Sequence, residues 1–102
     1  MADQKYTKKD ISKRVASRLD QRLSATHEVV SETFTILREM LSEDSHKIRI
    51  EVRNFGTFSV KPTKAKPRAR NPRTNEEIYV PPHRKSHFKP GKLLKSKLQE
   101  PI

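Results

Sequence analysis

The chain has 102 residues, 31% of them hydrophobic and six aromatic, with no cysteine and a net charge of +11. This excludes disulfide frameworks and cysteine-based metal sites, and no apolar run reaches the length of a membrane span or signal peptide. A single domain with so little apolar material cannot offset the entropy of ordering by its own burial, so a partner chain is expected to complete the core.

The charge is unevenly placed. Residues 1 to 44 carry eight Lys/Arg and eight acids, whereas residues 45 to 102 carry fifteen Lys/Arg and four acids. The whole excess therefore lies in the second part, as expected of a surface that neutralises a polyanion, nucleic acid first and anionic membrane second.

In chain order, Thr7-Lys8-Lys9-Asp10 has the form of a helix start, and Ile11, Val15 and Leu19 follow at helical spacing. Ser24 is positioned to cap a second helix with an apolar stripe of Val30, Phe34, Leu37 and Leu41, widened by Val29, Ile36 and Met40. The two helices are expected to pair as a hairpin.

All seven prolines and both glycines fall after residue 55, so the chain turns from helical to extended character near Ser45. From Lys47 the period becomes two: Ile48, Ile50 and Val52 alternate with Arg49, Glu51 and Arg53. Asn54-Phe55-Gly56 has turn chemistry leading into a second strand, Thr57 to Lys61.

Residues 62 to 82 hold five prolines together with Lys64, Lys66, Arg68, Arg70 and Arg73, and cannot form a core. Asn71-Pro72-Arg73-Thr74 carries turn residues, Asn75 tolerates a left-handed backbone, and extended sequence resumes at Ile78 to Val80. A protruding two-stranded ribbon with a central turn accounts for this segment, its prolines tolerated on outer edges. Lys85 to Phe88 can return to the sheet, and Pro90-Gly91-Lys92 opens a last helix with Leu93, Leu94 and Leu98 on one face.

Catalytic chemistry has little support. Glu43-Asp44 and Glu76-Glu77 are sequence neighbours, a spacing that does not orient two carboxylates on one centre, and there is no Gly-rich phosphate loop. His83 and His87 are four residues apart, but in a loop and strand among cations, so no metal or other cofactor is expected. Lys64, Lys66, Arg68, Arg70 and Arg73 on a ribbon are suited to phosphate contacts or to a narrow minor groove. On these residues alone Pro72 is open to two readings: a turn former, or a rigid apolar wedge that enters a base step without stranding a backbone donor.

Three blocks, Phe55-Gly56-Thr57-Phe58, Arg70-Asn71-Pro72-x-Thr74 and Phe88-x-Pro90-Gly91-Lys92-x-Leu94-Lys95, resemble the bacterial HU and integration host factor family, as does Thr7-Lys8-x-Asp10-Ile11 at the start. The resemblance spans nearly the whole chain. It implies an α+β fold: a helical hairpin (1–44), a three-stranded antiparallel sheet (45–61 and 84–89), a DNA-binding β-arm (62–83) and a C-terminal helix (90–100), assembled as an intertwined dimer. The resemblance also implies binding in the minor groove and bending of the duplex.

By this resemblance Pro72 intercalates at the arm tip, Lys8, Lys64, Lys66, Arg68, Arg70, Asn71, Arg73, Arg84, Lys85 and Lys92 bind DNA, and Phe55, Phe58 and Phe88 form the dimer core. The implied function is a cytoplasmic, nucleoid-associated architectural protein that binds and bends double-stranded DNA with little sequence preference, as a homodimer and without membrane partners. A site-preferring integration host factor type, paired with a paralogue, and a basic RNA-binding protein are the alternatives.

Asn75 and Asn54 stand where the family usually has glycine. The outgoing arm from Phe58 to Pro72 is one residue longer than the family spacing, so a bulge near Pro62 or Pro67 is expected.

Overall fold

Helix α1 (Lys8–Leu19) begins where the sequence places it. Thr7 is the N-cap, and its backbone N–H and hydroxyl both donate to the Asp10 carboxylate, at 2.8 and 2.9 Å, within a capping box. The computed structural model that shows this describes residues 3–102, except for the side chains of residues 66, 67 and 69.

Asp20 ends α1 in the left-handed conformation (φ 51°), with the Gln21 N–H donating to the Ala16 carbonyl at 2.8 Å. This closure needs so little chain that α2 (Leu23–Leu41) starts at once, with Arg22 as its N-cap. The cap expected at Ser24 is therefore corrected: Ser24 lies inside the first turn. Thr26 instead ties that turn back, its N–H and hydroxyl donating to the Arg22 carbonyl at 3.0 and 2.8 Å.

The two helices pack as the expected hairpin, with Ser12, Ala16, Thr26 and Val30 buried. Ser12 donates its only hydroxyl proton to the Lys8 carbonyl (2.7 Å), so the His27 Nδ1 at 3.0 Å must be the donor in the bond that joins the helices.

The chain divides after Ser42 into two units, described separately. In the second, β1 (Ile48–Val52), β2 (Gly56–Pro62) and β5 (Arg84–Pro90) form an antiparallel sheet in the order β1-β2-β5. The expected alternation sets its two sides. In register, Ile48 pairs with Val60 and Ile50 with Phe58, which in turn pairs with Phe88. The Phe55, Phe58 and Phe88 rings lie 4.9 to 6.1 Å apart between centroids.

Asn54 adopts φ 65°, a left-handed conformation within the turn expected at Asn54-Phe55-Gly56. Gly56 is required for space: an added Cβ would stand 2.6 Å from both the Lys89 carbonyl oxygen and the Phe88 ring. Helix α3 (Lys92–Leu98) follows β5.

Between β2 and β5 the chain runs out and back as a ribbon of β3 (Lys66–Arg70) and β4 (Glu77–Val80). Pro62, Pro81 and Pro82 cannot donate at its root. Thr63 and His83 bridge the gap. The Thr63 N–H donates to the His83 carbonyl at 2.7 Å, its hydroxyl donates to the same carbonyl at 3.1 Å, and the His83 N–H donates back to Thr63 Oγ1 at 3.2 Å. His83 Nδ1 lies 3.0 Å from the Pro81 carbonyl.

Only Ala16, Val30 and Val60 are buried apolar side chains among the described residues, whereas Val29, Phe34, Ile36, Met40, Phe55 and Phe88 remain exposed. The chain alone does not bury its apolar stripe, as its composition suggests.

Two outcomes are expected. The Thr7 hydrogen bonds hold the Asp10 carboxyl below its ordinary value of 3.8. A lowered folded-state value stabilises the fold above the unfolded value, and this contribution is lost as pH falls through the folded value. Asp10→Asn should therefore lower the melting temperature at neutral pH, with the gap closing on acidification, as followed by circular dichroism. Thr63→Val should speed amide exchange at the arm root roughly five- to a hundredfold, the worth of the two hydrogen bonds its hydroxyl makes, while the global melting temperature holds.

Candidate nucleic-acid interface

The ribbon tip is built from backbone bonds that its own residues provide. The Asn71 N–H donates to the Glu76 carbonyl at 2.9 Å, and the Asn75 N–H donates to the Asn71 carbonyl at 2.7 Å. Asn75 adopts φ 58°, so the left-handed conformation expected at this position is present. The Asn71 side chain accepts the Arg73 N–H at 2.9 Å, an Asx turn that spans Pro72. Pro72 is left exposed at the apex.

Arg70 is oriented across the ribbon. Its Nη1 donates to Asn75 Oδ1 at 3.2 Å, and its Nη2 lies 4.0 Å from Glu77 Oε1. Both partners of the ion pair are well exposed, so it contributes little stability, and the guanidinium can exchange the carboxylate for a phosphate at small cost. Arg70, Asn71, Pro72 and Arg73 are thus brought together at the tip.

The other expected contacts are spread. Lys64 and Arg68 are exposed along the arm, while Lys66 pairs through its backbone with Val80 and its side chain lies outside the described residues. Lys85 pairs with Lys61 on the sheet, and Lys92 is exposed at the start of α3. Lys8 opens α1 in the helical unit. Arg84 has a structural engagement: at the arm root its Nη1 donates to the Glu43 and Ser45 carbonyls, the latter at 3.1 Å. It thereby ties β5 to the segment preceding β1.

The sheet itself adds residues that the sequence reading did not single out. Opposite the phenylalanine side, Arg49 pairs with Ser59, Ser59 with His87, Thr57 with Lys89 and Lys61 with Lys85. A shallow cleft on this side is lined by Arg49, Thr57, Ser59, Lys61, His87 and Lys89. The acid of this side, Glu51, is bridged by Arg49 at 3.0 Å. Cations and hydroxyls without a deep pocket suit an extended polyanion rather than a small molecule. The period-two alternation held this signal, because every second residue of two cation-rich strands falls on one side.

Comparison with known proteins agrees with this geometry. A family profile described as bacterial DNA-binding protein matches residues 6–99. The chain is 38% identical over 96 residues to the integration host factor subunit beta of Saccharophagus degradans, covering 94% of this chain and 95% of that one. It is 32% identical over 93 residues to the integration host factor subunit alpha of Hahella chejuensis, covering 91% and 89%.

Among solved structures, the protein of an Anabaena HU–DNA cocrystal superposes with a TM-score of 0.79 at 26% identity, over 94% of this chain and 100% of that one. With a profile that spans almost the whole length and relatives aligned end to end, the chain belongs to the family of bacterial DNA-binding proteins that includes HU and integration host factor.

Proposed function

We propose that this protein is an architectural factor of the bacterial nucleoid in the cytoplasm, and that it acts by binding and bending duplex DNA through the minor groove rather than by catalysis. The observation that carries the proposal is an arm with no core of its own, lined with cations and ending in an exposed proline held by an Asx turn.

The labour divides by chemistry. Arg68, Arg70, Arg73 and Lys85 meet phosphates, which fixes the protein on the duplex without reading sequence. Lys64, Lys66, Lys92 and Lys8 add longer-range attraction. Arg84 serves the interface from behind by fixing the arm root, and Asn71 holds the tip turn.

Pro72 enters a base step. It lacks an N–H, so moving it into an apolar stack leaves no donor unsatisfied. Partial unstacking costs a few kcal/mol, which added phosphate contacts on the bent duplex offset.

We assign the working unit to a dimer in which the helical and sheet units of each chain act as a single domain. Phe55, Phe58 and Phe88 meet within 6.1 Å, yet Phe55 and Phe88 stay exposed, an arrangement that a second chain would cover. A homodimer is the simplest partner. The two relatives named above are alpha and beta subunits, which supports a second reading, a site-preferring heterodimer.

Fluorescence transfer between the ends of a short duplex, measured over a salt series, tests the function. The wild-type protein should bend the duplex, and its log affinity should fall linearly with log salt, by about 0.9 for each phosphate neutralised. Pro72→Ala should straighten the duplex while affinity changes much less; an unchanged bend would remove the wedge. Phe55→Ala should weaken the dimer by about 3–5 kcal/mol if the ring is buried there. Sedimentation over a dilution series reads this, and a variant that stays dimeric at every concentration would contradict the core assignment.

A further inference from the structure

We infer that a bulge in the outgoing arm strand is a phasing device, which turns the arm's arginines to the cationic side of the sheet and creates one row of positive charge from sheet to tip for a single DNA strand to follow. The inference rests on the DNA-bending function proposed above and adds a determinant of how the arm is presented.

Side chains alternate along β2: Val60 and Pro62 fall on the phenylalanine side, Lys61 and Thr63 on the cationic side. If alternation ran unbroken into the arm, the even-numbered Lys64, Arg68 and Arg70 would all follow Val60. It does not run unbroken. From the sheet through the Thr63–His83 bridge to the Lys66–Val80 pair, the two residue numbers of each pair add to one constant value. At Ala69–Ile78 and Arg70–Glu77 the total is one higher. Residues 67 and 68 of β3 therefore together oppose Tyr79 of β4, the two-against-one arrangement of a bulge.

Beyond the bulge the phase is inverted. Arg70, opposite Glu77, now belongs with Lys61 and Lys85, and Arg68 lies at the bulge opposite exposed Tyr79. Lys64, before the bulge, keeps the other phase.

A second observation points to the same place as the register slip between Lys66 and Ala69. Pro67, which has no N–H to give to a ladder, falls inside that interval. From Lys61 to Arg70 the row spans roughly 30 Å at the strand rise. Glu77 is the acid opposite Arg70, and as an exposed partner it yields readily to a phosphate.

The test moves a charge between phases without changing the total. Arg70→Ala alone should lower the slope of log affinity against log salt on a short random duplex by about 0.9. Combining Arg70→Ala with Ala69→Arg restores the charge one residue away, in the opposite phase, and should leave the slope as low as in the single variant. A double variant with the wild-type slope would overturn the inference, because the side on which the cation sits would not matter.

Backbone Overhauser contacts in the wild-type protein give a check that needs no DNA. An Ala69–Ile78 contact is expected, and an Ala69–Glu77 contact would show an unbroken register and overturn the phasing. Wild-type binding with no salt dependence would instead remove the proposed function, and this inference with it, whatever the register.

Discussion

The β2–β5 ladder carries the arm that is proposed to meet DNA. The arm has almost no apolar side chains to pack, so its geometry is inherited from the sheet through paired backbone. That inheritance is threatened at the root, where Pro62, Pro81 and Pro82 remove three donors within a few residues. Thr63 and His83 restore it with three mutual hydrogen bonds, two of them made by the Thr63 hydroxyl, and the ladder resumes in the same register at Lys66–Val80. A proline-rich root would otherwise be a free joint. With the bridge in place, paired backbone continues across the root.

The same scarcity of apolar material shapes the body. Small side chains, Ser12, Ala16, Thr26 and Val30, occupy the buried positions between the helices, and a Ser–His hydrogen bond stands where a larger protein would place another aliphatic contact. Val29, Phe34, Ile36 and Met40 of α2, with Phe55 and Phe88 of the phenylalanine cluster, are left exposed. At about 25 cal/mol for each Å² buried, covering several such side chains yields a stabilisation comparable to the total stability of a small domain. Folding and dimerisation are therefore expected to be one equilibrium, and a chain of this composition can devote most of its remaining surface to cations because its core is shared.

The sequence made some of this plain and concealed the rest, for identifiable reasons. The start of α1 was legible because the Thr7–Asp10 box is local, and Asn75 announced its left-handed turn for the same reason. The alternation from Ile48 to Val52 and the turn residues around Pro72 gave the sheet and the tip. Ser24 misled because a good capping residue is recognisable in isolation, whereas the true start was set by how quickly Asp20 and Gln21 close α1. The engagement of Arg84 with the Glu43 and Ser45 carbonyls joins residues some forty positions apart, which no local pattern reports. The cationic cleft on the sheet was present in the alternation but became a surface only when three strands were set side by side in register.

Charge and wedge are separable because they act on different free energies. Phosphate contacts act on straight and bent DNA alike and draw their strength from released counterions, so they set affinity and its salt dependence. A wedge contributes only where a step opens, and smoothly bending a site of this scale costs about 1–6 kcal/mol in any case. The proposed wedge would lower that cost by concentrating curvature at one unstacked step, while the cations along the arm would recover the remainder once the duplex closed around them. An arm with charge but no wedge would grip a nearly straight duplex, and one with a wedge but no charge would rarely stay long enough to open a step. The Asx turn of Asn71 and the cross-ribbon placement of Arg70 bring the residues of both proposed functions into one tip, so that in that proposal the phosphates beside an opened step would be held by the residues that flank the proline.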